Sequence, residues 1–289
     1  MPDLHTALDP RLNAYRADLA AACLEGKVAA PRFVTGTSAQ VCVPVAALRR
    51  TAAPNGARDT ELLFGEAVTV LDRTDGWAWV QATRDQYVGY VAADELHDGA
   101  PAPTHHVAAV RSFIYEAADL KSPVRNWVSL NTPLVVSSQS GKFSVLAGGG
   151  FVFTAHLRDA GSAARDFVRV AESFLETPYL WGGRSSLGLD CSALVQCALE
   201  AALIPCPRDT DMQEAALGET LDSKASLQRG DLIFWKGHVG IMRDATTLLH
   251  ANATHMKTAL EPVEPAITRI AQTDGPVTSI RRLPALTGK

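Results

Sequence analysis

A cysteine follows an acid at the start of an apolar helical pattern. In the stretch GRSSLGLDCSALVQCALEAA, Cys191 comes directly after Asp190. Apolar residues then recur at the spacing of one helix face, at Leu194, Cys197, Ala198 and Ala201. This pattern predicts a helix that begins near Asp190 or Cys191, whose free N–H groups and dipole favour an anion. Because the thiolate is the nucleophilic form of cysteine, Cys191 is predicted to be reactive and open to water, and Cys197 to be core.

Two histidines could supply the base that a cysteine nucleophile needs. His238 and His250 lie in the strand-like runs HVGIM and TLLHANA, on either side of a turn predicted to be centred on Asp244. A hairpin with that centre places them directly opposite each other on one face of the sheet. One imidazole would act as the base and the other would orient it. The alternative is a packed thiol with two core histidines; His255 is predicted to be a surface residue.

The C-terminal part of the chain has an α+β pattern. The run SAARDFVRVAESFLETP has apolar residues at helical spacing and ends before Pro178. The Cys191 helix and three strand-like runs follow, which predicts helices first and an antiparallel sheet afterwards. We assign this domain to residues 160–289.

The N-terminal part is rich in short strand signals. AVTVLDRTDGWAWV predicts a strand, a turn at Asp75–Gly76 and a second strand. The layout recurs weakly 65 residues later, in GKFSVLAGGGFVF. Two small barrels, at residues 41–102 and 103–159, are the simplest explanation, and one irregular β-domain is the alternative. Residues 1–40 are predicted to form an exposed, amphipathic helical segment.

Composition excludes several classes of function. Of the 289 residues, 47% are hydrophobic and 20% charged, and the net charge of −4 provides no basic field for nucleic acid or anionic lipid. No apolar run is long enough to span a bilayer, and the first residues lack a signal layout, so we expect a cytoplasmic protein. Five cysteines without a C-x-x-C pair predict neither a disulfide scaffold nor a zinc site. No metal or cofactor is implied, and the oligomeric state is not indicated.

Four motifs carry a family resemblance. TPYLWGG, DCSALVQ, RGDLIFW and HVGIM, followed by His250-Ala251-Asn252, resemble the NlpC-type cysteine peptidases, a papain-like clan that cleaves bacterial cell-wall peptides. Residues 41–100 resemble bacterial SH3-like barrels, and 104–158 do so more distantly. The order of two barrels followed by such a domain resembles the domain order of γ-D-glutamyl-L-diamino-acid endopeptidases of murein recycling. The resemblance implies a multi-domain protein with two SH3-like barrels and a papain-like α+β domain.

The resemblance also implies residue roles. Cys191 would be the nucleophile, His238 the base and His250 the third polar residue. The backbone N–H of Cys191 and the Tyr179 hydroxyl would hold the oxyanion. The cleft would be lined by Tyr179, Trp181 and Gly183, although plain packing is an alternative for the tryptophan.

The sequence departs from the secreted relatives in PRDTDMQ, where those tend to read Arg-Thr-Ser. An acid at Asp209 suits a cation, such as a free peptide N-terminus; alternatively, or in addition, it caps the helix that follows. Tyr87 and Tyr90 are three residues apart and face opposite ways in a regular strand; we expect Tyr87 to be exposed and Tyr90 packed. The predicted substrate-binding set is Tyr87, Asp190, Ser192, Arg208 and Asp209, of which Tyr87, Ser192 and Asp209 would hold the free amine of an N-terminal L-alanine.

The resemblance implies a cysteine endopeptidase that hydrolyses the γ-D-glutamyl–diamino-acid bond of murein peptides. With a free N-terminal L-alanine bound as described, it would release L-alanyl-γ-D-glutamate. One alternative is a hydrolase of intact peptidoglycan or of another amide or acyl substrate. An alternative of another class is a module that binds cell wall or protein and carries a degenerate peptidase. The intact set of Cys191, His238 and His250 argues against that second alternative.

Overall fold

The chain divides into two compact units. The structure, a computed structural model, describes residues 8–222 and 225–284. Unit 1 contains the residues up to Thr104 together with Phe113–Val128 and Thr132–Phe151. Unit 2 contains His105–Ser112, Ser129–Asn131 and the residues from Val152 onward. The units do not coincide with the predicted domain bounds, because pieces of the 103–159 segment group with the C-terminal domain.

The start of unit 1 is a small sheet and not the predicted helical segment. The described part of residues 1–40 holds a 3₁₀ turn, Ala22–Leu24, and three strands: β1 (Tyr15–Arg16), β2 (Leu19–Ala21) and β3 (Phe33–Val34). β1 pairs with β2 antiparallel, and β2 with β3 parallel. Leu19 and Leu24 are buried in a cluster with Leu71 and Trp79. This tertiary packing overrides the helix propensity of the alanines.

A seven-stranded antiparallel sheet follows, in the order β10-β4-β7-β8-β9-β5-β6. Its strands are β4 (Thr37–Val41), β5 (Val45–Arg49), β6 (Arg58–Leu63), β7 (Ala67–Thr74), β8 (Trp77–Ala82), β9 (Val88–Ala92) and β10 (Leu96–Asp98). The predicted turn joins β7 to β8, with φ of 51° at Asp75 and 80° at Gly76. Positive φ at both central residues is typical of a type I′ two-residue hairpin turn, so this prediction is confirmed.

The burial of the two tyrosines is the reverse of our expectation. Tyr87 is 3% exposed and belongs to the apolar cluster of this sheet, whereas Tyr90 is half-buried and its hydroxyl lies 3.3 Å from Nη1 of Arg16. β9 begins only at Val88, after Gln86 with φ of 64°. The alternation rule fails because Tyr87 precedes the regular strand.

Residues 105–159 form eight further strands. They are β11 (His105–Val107), β12 (Arg111–Tyr115), β13 (Val124–Ser129), β14 (Pro133–Leu134), β15 (Val136–Ser140), β16 (Phe143–Leu146), β17 (Phe151–Phe153) and β18 (Leu157–Asp159). Five of them form a sheet in the order β13-β12-β17-β16-β15. The predicted hairpin is present as β16 and β17. The Asn131 amide donates to the carbonyl of Cys197 at 2.9 Å, which explains why Ser129–Asn131 belongs to unit 2.

The rest of unit 2 has the predicted α+β pattern. Its helices are α1 (Phe167–Glu172), α2 (Cys191–Ala201), α3 (Thr210–Ala216) and α4 (Val263–Ile270). Its strands are β19 (Arg184–Ser185), β20 (Gly188–Leu189), β21 (Glu219–Thr220), β22 (Leu232–Trp235), β23 (His238–Met242), β24 (Thr247–Asn252), β25 (Lys257–Pro262) and β26 (Ser279–Arg282).

An antiparallel sheet of six strands, in the order β21-β26-β22-β23-β24-β25, organises this part of unit 2. Phe234 and Val239 share a buried cluster with Leu194 of α2. Ile233 and Trp235, which alternate with Phe234 along β22, share a second cluster with residues of α4. The sheet therefore has an apolar layer on each face. None of the helices in the described ranges is long and apolar enough to cross a membrane.

Candidate active site

Cys191 is the first residue of α2, as the sequence predicts. Asp190 is the N-cap, and its carboxylate accepts from the backbone N–H of Ala193 at 2.8 Å. The Cys191 Sγ lies 4.0 Å from Oγ1 of Thr210 and 4.0 Å from the carbonyl oxygen of Gly237. The sulfur thus sits where the start of α2 meets the residue that precedes β23. Thr210, which begins α3, is a neighbour that the sequence analysis missed.

The environment of the thiol differs from the expected one. Cys191 is only 6% exposed. Burial raises the pKa of its thiol to about 11, and the Asp190 charge adds to this effect. A hydrogen bond with the backbone of Val239, the Thr210 hydroxyl and the Arg208 charge act in the opposite direction but are outweighed. The prediction that Cys191 is open to water is therefore wrong, and the raised pKa agrees with the expectation that the thiol needs a base partner in addition to the helix start.

The two histidines lie on one face of the sheet, as predicted. His238 Nε2 is 2.8 Å from His250 Nδ1, and the ring centroids are 5.0 Å apart. Burial lowers the pKa of His238 to about 3, with a further lowering from the charge of His250. The ring is therefore neutral near pH 7 and holds a lone pair that can accept a proton.

The register that brings the rings together is not the predicted one. Ile241 pairs with Leu249 and Met242 with Leu248, which centres the turn on Ala245 instead of Asp244. The Asp244 carboxylate accepts from the backbone N–H groups that follow it and so stabilises a longer turn. Moving the centre by one residue shifts each partner by two positions. Since side chains alternate with a period of two, both histidines stay on the same face.

A carboxylate that the sequence analysis missed lies behind the histidines. His250 is fully buried, and its Nε2 is 2.6 Å from Oε1 of Glu261, which in turn lies 2.5 Å from Nη2 of Arg269. Burial lowers the pKa of His250, and the Glu261 charge opposes this effect. Hydrogen bonds from His250 and Arg269 lower the pKa of Glu261 to about 2. Glu261 is on the strand beside His250, but a sequence without a known register could not identify it.

Asp190, Ser192 and Arg208, all predicted to bind substrate, form one buried cluster. Arg208 is 1% exposed, and its two terminal nitrogens donate to the two Asp190 oxygens at 3.0 and 2.7 Å. It also donates to the Ser192 hydroxyl at 2.7 Å. The second Asp190 oxygen accepts from the Gly182 N–H at 2.9 Å. Because these charges satisfy each other, the cluster holds the start of α2 in place; its contact with substrate stays a prediction.

This cluster predicts a large stability effect. Changing Arg208 to methionine leaves the Asp190 carboxylate buried without its partner, so the free energy of unfolding in urea should fall by about 3–5 kcal/mol. The matched control is Arg229→Met, which removes an exposed ion pair with Asp166 and should cost less than about 1 kcal/mol. Adding Asp190→Asn to Arg208→Met should restore part of the loss. Equal destabilisation by the two arginine variants would contradict this account.

The three predicted cleft residues lie in different settings. Tyr179 is half-buried, and burial together with the nearby Cys191 and Asp190 charges raises the pKa of its phenol, which stays a hydrogen-bond donor at neutral pH. Trp181 is 72% exposed, so it is not a packing residue. Gly183 is buried, and a Cβ there would lie 2.6 Å from the Gly188 carbonyl oxygen. The glycine is needed for this close backbone approach.

Asp209 occupies the N-cap position of α3, but its side chain makes no capping hydrogen bond. The prediction that this carboxylate caps the helix is therefore wrong. It is half-buried. His255 is exposed, as predicted, and bonds to Asn252. Within residues 8–222 and 225–284, no three His, Cys, Asp or Glu side chains are placed to hold a metal ion.

Two family models match this chain. Residues 176–271, which hold Cys191, His238 and His250, match the NlpC/P60 family. The chain carries an NlpC/P60 domain. Residues 48–96 match the model described as the SH3 domain of bacterial dipeptidyl-peptidases. These matches confirm the NlpC-type resemblance and an SH3-like domain on the N-terminal side.

Curated proteins with similar sequences include peptidases. The γ-D-glutamyl-L-lysine dipeptidyl-peptidase of Bacillus subtilis (strain 168) is 28% identical over 217 residues, which are 68% of this chain and 72% of the relative. The enzyme of that name from Bacillus cereus is also 28% identical, over 233 residues, 71% of this chain and 69% of the relative. The crystal structure of an NlpC/P60 family protein from Bacillus cereus ATCC 10987 has a TM-score of 0.72 at 22% identity, covering 86% of this chain and 100% of its own. That similarity supports the shared fold.

Proposed function

We propose that this protein is a cysteine endopeptidase that cleaves the γ-D-glutamyl–diamino-acid bond of short murein peptides. The observation that carries the proposal is the 2.8 Å contact between His238 and His250. His238 begins β23, and the carbonyl oxygen of the residue before it, Gly237, lies 4.0 Å from the Cys191 sulfur. The names of the two Bacillus relatives support the choice of bond. A papain-like fold with two SH3-like barrels is part of the same proposal.

The reaction is acyl transfer to water through the Cys191 sulfur. His238 takes the thiol proton, the sulfur attacks the γ-carbonyl of D-glutamate, and His238 returns the proton to the amine that leaves. Water then attacks the thioester and releases the acid. The pKa of the Cys191 thiol is raised and the His238 ring is neutral. These states favour transfer of the proton during the attack over a permanent thiolate–imidazolium pair.

The oxyanion would be held by two donors. The backbone N–H of Cys191 is at the N-terminus of α2, where the first N–H groups have no partner within the helix. The Tyr179 hydroxyl, kept protonated by its raised pKa, is the second donor. A donor of this kind is typically worth about 3–4 kcal/mol of barrier.

The substrate's free N-terminal amine is proposed to bind beside α2 and α3. Asp209 supplies the carboxylate and Ser192 a hydroxyl, and the exposed Trp181 offers an aromatic surface to the peptide. Tyr87, which the sequence analysis predicted as a third partner of the amine, is buried in the apolar cluster of the seven-stranded sheet and is not part of this proposal. A site that demands a free N-terminus acts on released peptides and not on intact wall, so a cytoplasmic recycling role is part of this proposal.

Acetylation of the substrate tests the proposal. For L-alanyl-γ-D-glutamyl-diamino-acid tripeptides, N-acetylation should lower kcat/KM by at least about 10²-fold, because the amide lacks the charge that the site is built to bind. Mass spectrometry should show L-alanyl-γ-D-glutamate as the product. Asp209→Asn should reduce the preference for the peptide with a free N-terminus. Asp211→Asn changes an exposed residue, the second of α3, and should leave that preference unchanged. Equal cleavage of free and acetylated peptides would indicate a hydrolase of intact wall instead.

A further inference from the structure

We propose that Glu261 is a positioning residue that fixes the tautomers of both histidines, with Arg269 holding its carboxylate in place. The inference rests on the proposed function, in which His238 is the base. It concerns a carboxylate on β25 and an arginine on α4, neither of which belongs to the catalytic set expected from the sequence.

The argument begins from the direction of the hydrogen bonds. An ionised carboxylate can only accept, so the 2.6 Å contact requires a proton on His250 Nε2. The Nδ1 of a neutral His250 is then an acceptor, and the 2.8 Å contact requires a proton on His238 Nε2. The lone pair of a neutral His238 is consequently on Nδ1. That is the ring nitrogen left to accept the proton of the Cys191 thiol.

The surroundings of Glu261 keep it ionised and in one orientation. Arg269 donates to its Oε1 from Nη2 at 2.5 Å and to the Thr254 hydroxyl from Nη1 at 2.6 Å. His255 Nδ1 is 3.9 Å from the same oxygen and bonds to Asn252. In the described part of the chain, Arg269, His255 and His250 are the titratable and charged groups within 4 Å of the Glu261 carboxylate. Its side chain is 13% exposed, so water competes little for it.

The carboxylate also acts during the proton transfer. When the S–H bond breaks, the electron pair stays on sulfur and a bond forms between the proton and His238 Nδ1. The positive charge that appears on His238 is delocalised towards His250 through their shared hydrogen bond, and Glu261 lies at the end of that chain. A negative charge there stabilises the transition state more than the neutral resting pair.

The kinetic test is Glu261→Gln, with Glu264→Gln as the matched control because Glu264 is exposed in the first turn of α4. With the free tripeptide, Glu261→Gln should lower kcat/KM by about 10–100-fold, mostly through kcat. The acid limb of its pH profile should move to lower pH, because removing the negative charge lowers the pKa of the histidine pair. Glu261→Asp should keep the wild-type limb. A loss of equal size at every pH, or no loss, would overturn the proposal.

A second measurement does not depend on the substrate. Nitrogen-15 NMR of histidine-labelled full-length protein, with signals assigned from His238→Gln and His250→Gln, should show both rings protonated on Nε2 at pH 7. Glu261→Gln should change the fraction of the two rings that is protonated on Nε2. If that variant has a low melting temperature, Arg269→Met replaces it and should have the same effect. Protonation of His238 on Nδ1 in the wild type would overturn the proposal. If the wild type fails to cleave the tripeptide, the proposed function fails, while the NMR result still decides the role of Glu261.

Discussion

Replacement of Cys191 with serine is expected to lower kcat/KM on the free tripeptide by at least about 10³-fold, with the fold retained. The alcohol is a far weaker nucleophile near neutral pH than a thiol whose proton is being removed. Oxygen is smaller than sulfur and the site lies at a helix start, so the melting temperature should change little. Product formation followed by mass spectrometry is the measurement.

The matched control for this substitution is Cys206→Ala. Cys206 is a second buried cysteine of unit 2, 8% exposed, and its Sγ bonds to the Pro207 carbonyl instead of facing the start of β23. Its removal should leave turnover close to that of the wild type. Near-wild-type activity of Cys191→Ser, or an equal loss in both variants, would disprove nucleophilic catalysis by Cys191.

Replacement of His238 with glutamine should have the next largest effect. It removes the proposed base, and because the pKa of the Cys191 thiol is raised to about 11, we expect very little thiolate to form near pH 7 without a base. A positioned base contributes about 10²–10⁴-fold, and kcat/KM should fall by that factor. Activity of the variant should recover as pH rises towards the pKa of the thiol, since hydroxide then replaces the imidazole.

His250→Gln should cause a smaller loss, because the base stays present but is poorly oriented. His97→Gln, which changes an exposed ring of unit 1, is the control and should be silent. Rates measured across pH 6–10 distinguish the three variants. If His238→Gln kept the wild-type profile, another group would have to be the base.

Local patterns predicted the elements that hold the site. The start of α2 at Cys191 and the strand nature of β23 and β24 follow from apolar spacing, which acts over a few residues. The long-range geometry of the site was harder to predict from the sequence. The centre of the turn was wrong by one residue because the carboxylate of Asp244 stabilises a longer turn. Each partner shifts by two positions as a result, and the histidines lie on the same face because side chains alternate with a period of two.

Features that depend on tertiary packing could not be predicted. The alanine-rich start of unit 1 forms strands because its leucines are buried against Trp79. Tyr87 is buried, although its position nearer the loop suggested that it was the exposed one of the two tyrosines. The raised pKa of Cys191 comes from burial and from Asp190, and the sequence showed only the favourable helix terminus. Glu261 could be identified as a neighbour of His250 only from the pairing of β24 with β25, in which His250 pairs with Ala259.

The burial of the Cys191 thiol also has a consequence for oxidation by peroxide. Peroxide attacks the thiolate, and the products beyond the sulfenic acid are irreversible. Because a protonated sulfur that is 6% exposed offers little of the susceptible species, we expect Cys191 to be oxidised slowly in the absence of substrate. In the proposed mechanism, the sulfur is activated only when His238 takes its proton, with an acyl substrate beside it. The arrangement that delays activation would then also protect the sulfur between turnovers.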